Sequence, residues 1–310
     1  MNVHTFRRDV PGREQPEPAV LTIGTFDGVH LGHQALIRRV VDEARATGSA
    51  SAVITFEPHP QRVLKSEPAP VLSGLTLRLR LFEALGLDQA CIIPFTRELA
   101  AKSAEQFMAD YLLRRYAIRR MVIGYDFAFG HNRAGTAQVL ENLSARHGFA
   151  LEVFPAIELE GEVVSSTRIR DALAVVDFDT AGRLLGRPWS VLAEVETGER
   201  LGRQLGFPTI NQPARGPLPI PFGIYASRAI VDGRTYGAAS SYGIRPTLGN
   251  TEPLLETHLF DFSGNLYGKW VEVIPVRWLR EERRFDSLEA LQEQIAKDCL
   301  EAREVLQPHL

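Results

Sequence analysis

The chain is poor in cysteine, methionine and tryptophan, with two, three and three in 310 residues. Cys91 and Cys299 show no CxxC spacing, which excludes a disulfide framework and a thiolate metal site; buried, reduced thiols fit a cytoplasmic setting. No apolar run approaches the roughly 20 residues of a membrane-spanning helix. The polar N-terminus MNVHTFRRDVPGREQPEP lacks the apolar stretch of a signal segment. An excess of one charge sign is missing too: a net charge of −3 offers no footprint for nucleic acid or an anionic membrane. Phosphate chemistry must therefore use local groups. The length suffices for two domains, each with its own core.

What is present centres on residues 19–47. Ala19 to Ile23 reads as a buried strand, and Leu36, Ile37, Val40, Val41 and Ala44 recur at helical spacing before a stop at Gly48. In an open α/β sheet the intervening loop lies at the carboxyl end of a strand, beside a helix N-terminus that favours an anion. Gly24, Gly28 and Gly32 permit close backbone approach, and His30 and His33 can direct imidazole N–H groups at phosphate oxygens. As bare residues, two ordinary loop histidines are the plain alternative. The string GTFDGVHLGH, however, resembles the HxGH nucleotidyltransferase signature in the form carried by bacterial FAD synthetases. That resemblance implies nucleotide contacts at Gly24, Thr25, Phe26, Asp27 and Gly32, with His30 and His33 catalytic.

Strand and helix patterns keep alternating. Strands are expected at 52–56, 90–95, 121–124 and 151–154, and helices at 77–85, from Ser103 onward with a Ser103/Gln106 capping box, and at 136–147. Five such units argue for a parallel sheet with helices on both faces. Two strands end in FEPHP and GYDFAFG, at the same sheet edge as the histidines. The resemblance implies that Phe56, Pro58 and His59 line the substrate pocket and that Asp126 with Phe127 or Phe129 contacts the flavin. Solvation for His59 and core packing for the phenylalanines are the alternatives. In VVSSTRIRDAL, Ser165 or Ser166 caps a helix whose first turn carries Arg168 and Arg170, cations that oppose the dipole. SSTRIR is similar to the family's SSTxIR motif, which implies triphosphate contacts for Ser165, Ser166, Thr167 and Arg168 and a catalytic role for Arg170.

Near residues 182–188 the texture shifts to short alternating runs punctuated by Gly and Pro, so a boundary is placed between a domain at 1–184 and one at 185–310. Strands at 189–195, 223–231, 236–240, 254–262 and 269–276, joined by turns such as Asp232-Gly233, suggest an antiparallel β-barrel. A last helix, capped by Asp286 or Ser287 and striped by Leu288, Leu291, Ile295, Cys299, Ala302 and Leu306, is expected to pack on it. Within GERLGRQLGFPTIN, three glycines offer backbone to phosphates, and Thr209 and Asn211 share one side of an extended segment as oxygen ligands suited to Mg²⁺. Alone they read as turn formers. GRQLGFPTIN resembles the PTAN signature of riboflavin kinases, which implies that Gly202 and Gly206 bind nucleotide and that Thr209 and Asn211 hold the metal. Strand alternation sets Glu256, His258, Phe260 and Phe262 on one face. The matching family glutamate acts on the ribityl hydroxyl, which makes Glu256 the base; a rim glutamate is the alternative. SYGIRPT and NLYG also match, while PTIN has isoleucine where alanine is usual and SSYGIRPT lacks an asparagine before its glycine.

The whole reads as a bifunctional enzyme: a Rossmann-like nucleotidyltransferase sheet followed by a riboflavin-kinase barrel with a C-terminal helix. It would phosphorylate riboflavin to FMN with ATP and Mg²⁺, releasing ADP, then adenylylate FMN to FAD, releasing pyrophosphate. The alternatives are an adenylyltransferase whose barrel is a flavin-binding regulatory module, and a flavin sensor without catalysis. No nucleic-acid or membrane partner is expected, and the sequence leaves the choice between monomer and weak oligomer open.

Overall fold

The structure, a computed structural model, describes residues 1–6, 17–198, 201–244 and 253–307. The expected match at Arg245, Pro246 and Thr247, and Glu199 and Arg200 of the glycine-rich segment, lie outside the described residues. Residues 1–69 with 78–165 form one compact unit, and 70–77 with 166–310 a second.

In the first unit, strands β1 (Asn2–Thr5), β2 (Glu17–Ile23), β3 (Ala50–Glu57), β4 (Gln89–Pro94), β5 (Tyr116–Gly124) and β6 (Ala150–Phe154) form a sheet of order β1-β4-β3-β2-β5-β6. Every pairing in it is parallel. The side-chain period of two sorts each strand between two cores. Leu21, Ile54, Ile93 and Ile123 fill one face, and Val20, Val53, Ala90 and Val122 the other. On the second face lies α1 (Leu31–Thr47), with the expected apolar stripe buried and Gly48 closing it in the left-handed conformation. Next come the short α2 (Pro60–Leu64), α3 (Leu75–Ala84), α4 (Arg97–Ala100) and α5 (Ala104–Phe107), which continues as a π-helical turn over Met108–Leu113. The Ser103/Gln106 capping box is formed. With α6 (Ala137–His147), this π turn packs on the first face, so helices cover both sides. The edge strand β1 escaped the sequence pattern because NVHT is short and mostly exposed. Order reverses between β2 and β5, which puts the topological switch point, where ligands bind in open α/β sheets, beside the loops that follow these two strands. A hairpin, β7 (Glu158–Leu159) and β8 (Glu162–Val163), completes this unit.

The second unit holds α7 (Ser166–Ala174), α8 (Phe178–Leu185) and an all-antiparallel sheet. Its strands are β9 (Val191–Glu194), β10 (Ile210–Pro213), β11 (Gly223–Val231), β12 (Arg234–Gly243), β13 (Leu254–Leu259) and β14 (Trp270–Arg280), in the order β10-β13-β12-β11-β14-β9. The two edges meet where Glu196 bridges Asn211, and the Gln212 amide donates to Ala193 and Val271 carbonyls, so the sheet curls into a barrel. After the single turn α9 (Leu201–Gln204), strand β10 passes unnoticed in sequence, because its four residues end at a proline. Helix α10 (Leu288–Leu306), capped by the Ser287 hydroxyl, buries Cys299, Ala302 and Leu306 against Ala226 and Phe260.

Candidate active sites

At the first sheet edge, β2 runs into a strained turn. Phe26 and Val29 have φ of +50° and +44°, and Gly28 between them +81°. Positive φ at a β-branched residue is a real outlier, at a cost on the order of 1–3 kcal/mol per residue. The turn delivers His30 to the N-cap of α1, where its Nδ1 accepts the His33 backbone N–H at 3.4 Å. The two imidazoles stack at 3.6 Å between centroids, and no acidic side chain occupies the first turn of the helix. Gly32 permits this, since a Cβ there would stand 3.2 Å from the His30 ring. The His33 Nδ1 is buried without a hydrogen-bond partner among the described residues. Burial first, then the neighbouring His30, holds the His33 imidazole well below the ordinary histidine range. At neutral pH it is therefore a neutral N–H dipole, in keeping with the expected N–H donor. Phe26, expected to contact nucleotide, is 2% exposed and edge-on to Phe82 and His33, so its side chain supports the turn from below. Asp27 is buried as well, while Gly24 and Thr25 stay partly accessible.

Strand pairing brings the other edge segments alongside. Phe56 is the penultimate residue of β3, Pro58 follows a cis peptide bond, and the His59 ring caps α2 by accepting the Gln61 N–H. Beyond β5, Asp126 is exposed, and Phe127 and Phe129 lie half-buried and stacked at 5.5 Å. Phe107, which the sequence pattern did not single out, joins Phe129 at 5.6 Å to Phe56 at 6.3 Å, so the three rings form one aromatic wall. In the other unit, Ser166 opens α7, Thr167 is exposed, Arg168 is half-buried, and the Arg170 Nε donates to the Pro70 carbonyl at 2.7 Å. Ser165 directly precedes that helix.

The barrel contains a cavity of about 220 Å³. Register explains which residues meet in it. Asn211 pairs with Glu256, Glu256 with Ser241, Ser241 with Ile224 and Ile224 with Arg280, so one line of same-face residues crosses five strands. Glu256, Ser241, Ile224 and Arg280 line the cavity together with Thr209 and Gly202. Asn211 borders this line, its amide packed where a Gly198 Cβ would stand. Gly206 holds φ at +85°, and Gly202 lies so near the Phe207 carbonyl that only glycine fits. The opposite wall is apolar: Leu291, Ile295 and Cys299 of α10, with Phe207 and Leu205. Burial, then Asp298, pushes the Cys299 thiol up to about 11, so it stays protonated. Arg280 is tied to the buried Asp298 carboxylate at 2.8 and 2.6 Å. His258 meets the Pro208 carbonyl at 2.8 Å and so braces the PTIN segment. The expected alternation ends early. Strand β13 stops at Leu259 and Asp261 takes φ of +55°; Phe260 still lies beside His258 and packs on α10, whereas Phe262 meets Tyr236 edge-on. Ser241, Arg280 and Asp298 were missed because only pairing register and helix docking bring them to Glu256.

Known proteins match along nearly the whole chain. The FAD synthetase family model covers residues 12–168 and the riboflavin kinase model residues 185–306. A bifunctional riboflavin kinase/FMN adenylyltransferase of Pseudomonas fluorescens is 39% identical over 96% of both chains. Proteins of the same name from Escherichia coli K12 and Bacillus subtilis are 36% identical over 93% of both chains and 33% identical over 94% of this chain and 93% of the relative. A crystal structure described as a macrolide-efflux protein from Streptococcus pneumoniae superposes with a TM-score of 0.77, at 28% identity, over 98% of this chain and 99% of that one. Among the described residues no helix is long and apolar enough to cross a membrane. Two differently built units, matched in tandem by both family models and by relatives spanning nearly the full length, show that this chain belongs to the bifunctional riboflavin kinase/FMN adenylyltransferase family.

Proposed function

We propose that the barrel phosphorylates riboflavin to FMN and the parallel-sheet domain adenylylates FMN to FAD with pyrophosphate release, the catalytic division falling between residues 184 and 185. The observation that supports the kinase assignment is the cross-strand neighbourhood of Asn211, Glu256 and Ser241, of which Glu256 and Ser241 line the cavity. Glu256 accepts the proton of the ribityl hydroxyl as that oxygen attacks the γ-phosphorus of ATP. The apolar wall of Leu291, Ile295 and Cys299 suits a flat ring system. Thr209 and Asn211 offer hydroxyl and amide oxygens, hard donors that fit Mg²⁺. Bound there with phosphate oxygens, the ion would neutralise charge on the transferring group. Gly202 and Gly206 bring backbone close to the phosphates.

For adenylyl transfer no protein nucleophile is needed. A phosphate oxygen of FMN attacks the α-phosphorus of ATP, and the protein supplies position and favourable potential. The N-terminus of α1 and the imidazole N–H groups of His30 and His33 face the phosphates, with Gly24, Thr25, Asp27 and Gly32 shaping the cradle. Phe56, Pro58, Asp126, Phe127 and Phe129 frame the flavin. Ser165, Ser166, Thr167, Arg168 and Arg170 keep the phosphate-contacting roles that their motif implies. The reading includes a cytoplasmic location, no nucleic-acid or membrane partner, and a monomer or weak oligomer.

Incubation with riboflavin, ATP and Mg²⁺, followed by separation of flavins, tests it. The wild type forms FMN and then FAD, and His33→Ala accumulates FMN. FAD formed only from added FMN would make the barrel a binding module.

A further inference from the structure

Arg78 looks unremarkable in sequence, one of two arginines on the amphipathic α3. In the folded chain it is 3% exposed. One of its terminal nitrogens donates to the Thr25 carbonyl and to the Thr55 hydroxyl, both at 2.8 Å. The other donates to the Phe56 carbonyl at 3.3 Å and the Glu57 carboxylate at 2.6 Å. The hydroxyl of Thr55, fully buried, donates a hydrogen bond to the same Thr25 carbonyl at 3.2 Å. That carbonyl immediately precedes Phe26, the first strained residue of the turn that leads to His30. Backbone held in such conformations persists only where its surroundings over-determine it. A planar guanidinium with fixed donor directions meets that need, and a lysine ammonium does not.

We propose that Arg78, acting with the Thr55 hydroxyl, is a positioning residue for adenylyl transfer: it locks the strained turn presenting His30 and His33 to the segment that ends the neighbouring strand. The inference rests on the assignment of adenylyl transfer to this sheet edge. A shift of about an ångström in such a turn costs up to about 100-fold in rate without removing any group that binds substrate.

Steady-state kinetics of FAD formation from FMN, ATP and Mg²⁺ by the full chain, with riboflavin phosphorylation as an internal reference, test this. Thr55→Val keeps the volume and loses the hydroxyl; Thr55→Ser does the opposite. Positioning predicts that Thr55→Val lowers kcat by about 10- to 100-fold, while KM for FMN and ATP stays within about threefold. Thr55→Ser restores kcat, and Arg78→Lys behaves like Thr55→Val. Both variants leave riboflavin phosphorylation unchanged. A packing role predicts the reverse order, with Val tolerated and Ser impaired, and that order would overturn the clamp. So would wild-type kcat in Arg78→Lys, a second variant that decides the matter if Thr55→Val does not fold. A wild-type protein that makes no FAD would instead defeat the underlying assignment.

Discussion

Replacement of Glu256 by Gln isolates one proton acceptor. Glu256 stands between Asn211 on β10 and Ser241 on β12 in an antiparallel ladder, so its backbone is fixed from both sides. Gln keeps the volume and one acceptor oxygen, exchanging the other for an NH₂ donor, and it leaves the cavity's apolar wall untouched. What disappears is a carboxylate able to take the ribityl hydroxyl proton. General-base contributions run at about 10²- to 10⁴-fold, equivalent to about 3 to 5 kcal/mol of transition-state stabilisation. The whole effect belongs in kcat, because the group acts on the reacting oxygen and not on the ring. Coupled measurement of ADP release at saturating riboflavin and ATP, together with riboflavin binding followed by flavin fluorescence, separates the two terms. FAD formation from supplied FMN must continue at the wild-type rate in the same preparation, which controls for folding. A kcat within about threefold of wild type, or a loss confined to KM, would refute Glu256 as base and make it a rim carboxylate.

Two further outcomes follow from the geometry. His33, held below its ordinary value of 6.5 by burial and by His30, stays neutral in the folded chain while the unfolded chain takes up a proton. The unfolded state therefore binds more protons between the folded value and 6.5, and stability contributed here is complete above 6.5 and lost as pH falls through that window. Melting midpoints of the wild type fall more steeply below pH 6.5 than those of His33→Asn, and parallel curves would contradict the buried neutral imidazole. Gly202→Ala would bring a Cβ within 2.4 Å of the Phe207 carbonyl oxygen and 3.3 Å of the Thr209 hydroxyl, so the loop must move. The KM for ATP in riboflavin phosphorylation rises about tenfold, near 1.4 kcal/mol, with adenylylation of FMN unaffected; an unchanged KM would remove Gly202 from the nucleotide site.

Much of this molecule was written locally. The alternation of β2 with α1, the stops at Gly48 and Gly148, and the Ser103 and Ser287 caps depend on neighbours a few residues apart, and each was legible. Short strings also carry the family resemblance on which the proposed roles of His30, His33, Thr209, Asn211 and Glu256 rest. Tertiary structure decided what lies far apart in sequence. That Phe26 props the turn follows from its packing against Phe82, and that His33 is neutral follows from desolvation and the neighbouring His30, neither of which a string of ten residues encodes. The Asn211–Glu256–Ser241 line exists only because three strands adopt one register. Arg78 gains its role from four acceptors between 21 and 53 residues away. Local propensity names the parts, but a hydrogen-bond network converging on one guanidinium is a property of the packed sheet edge.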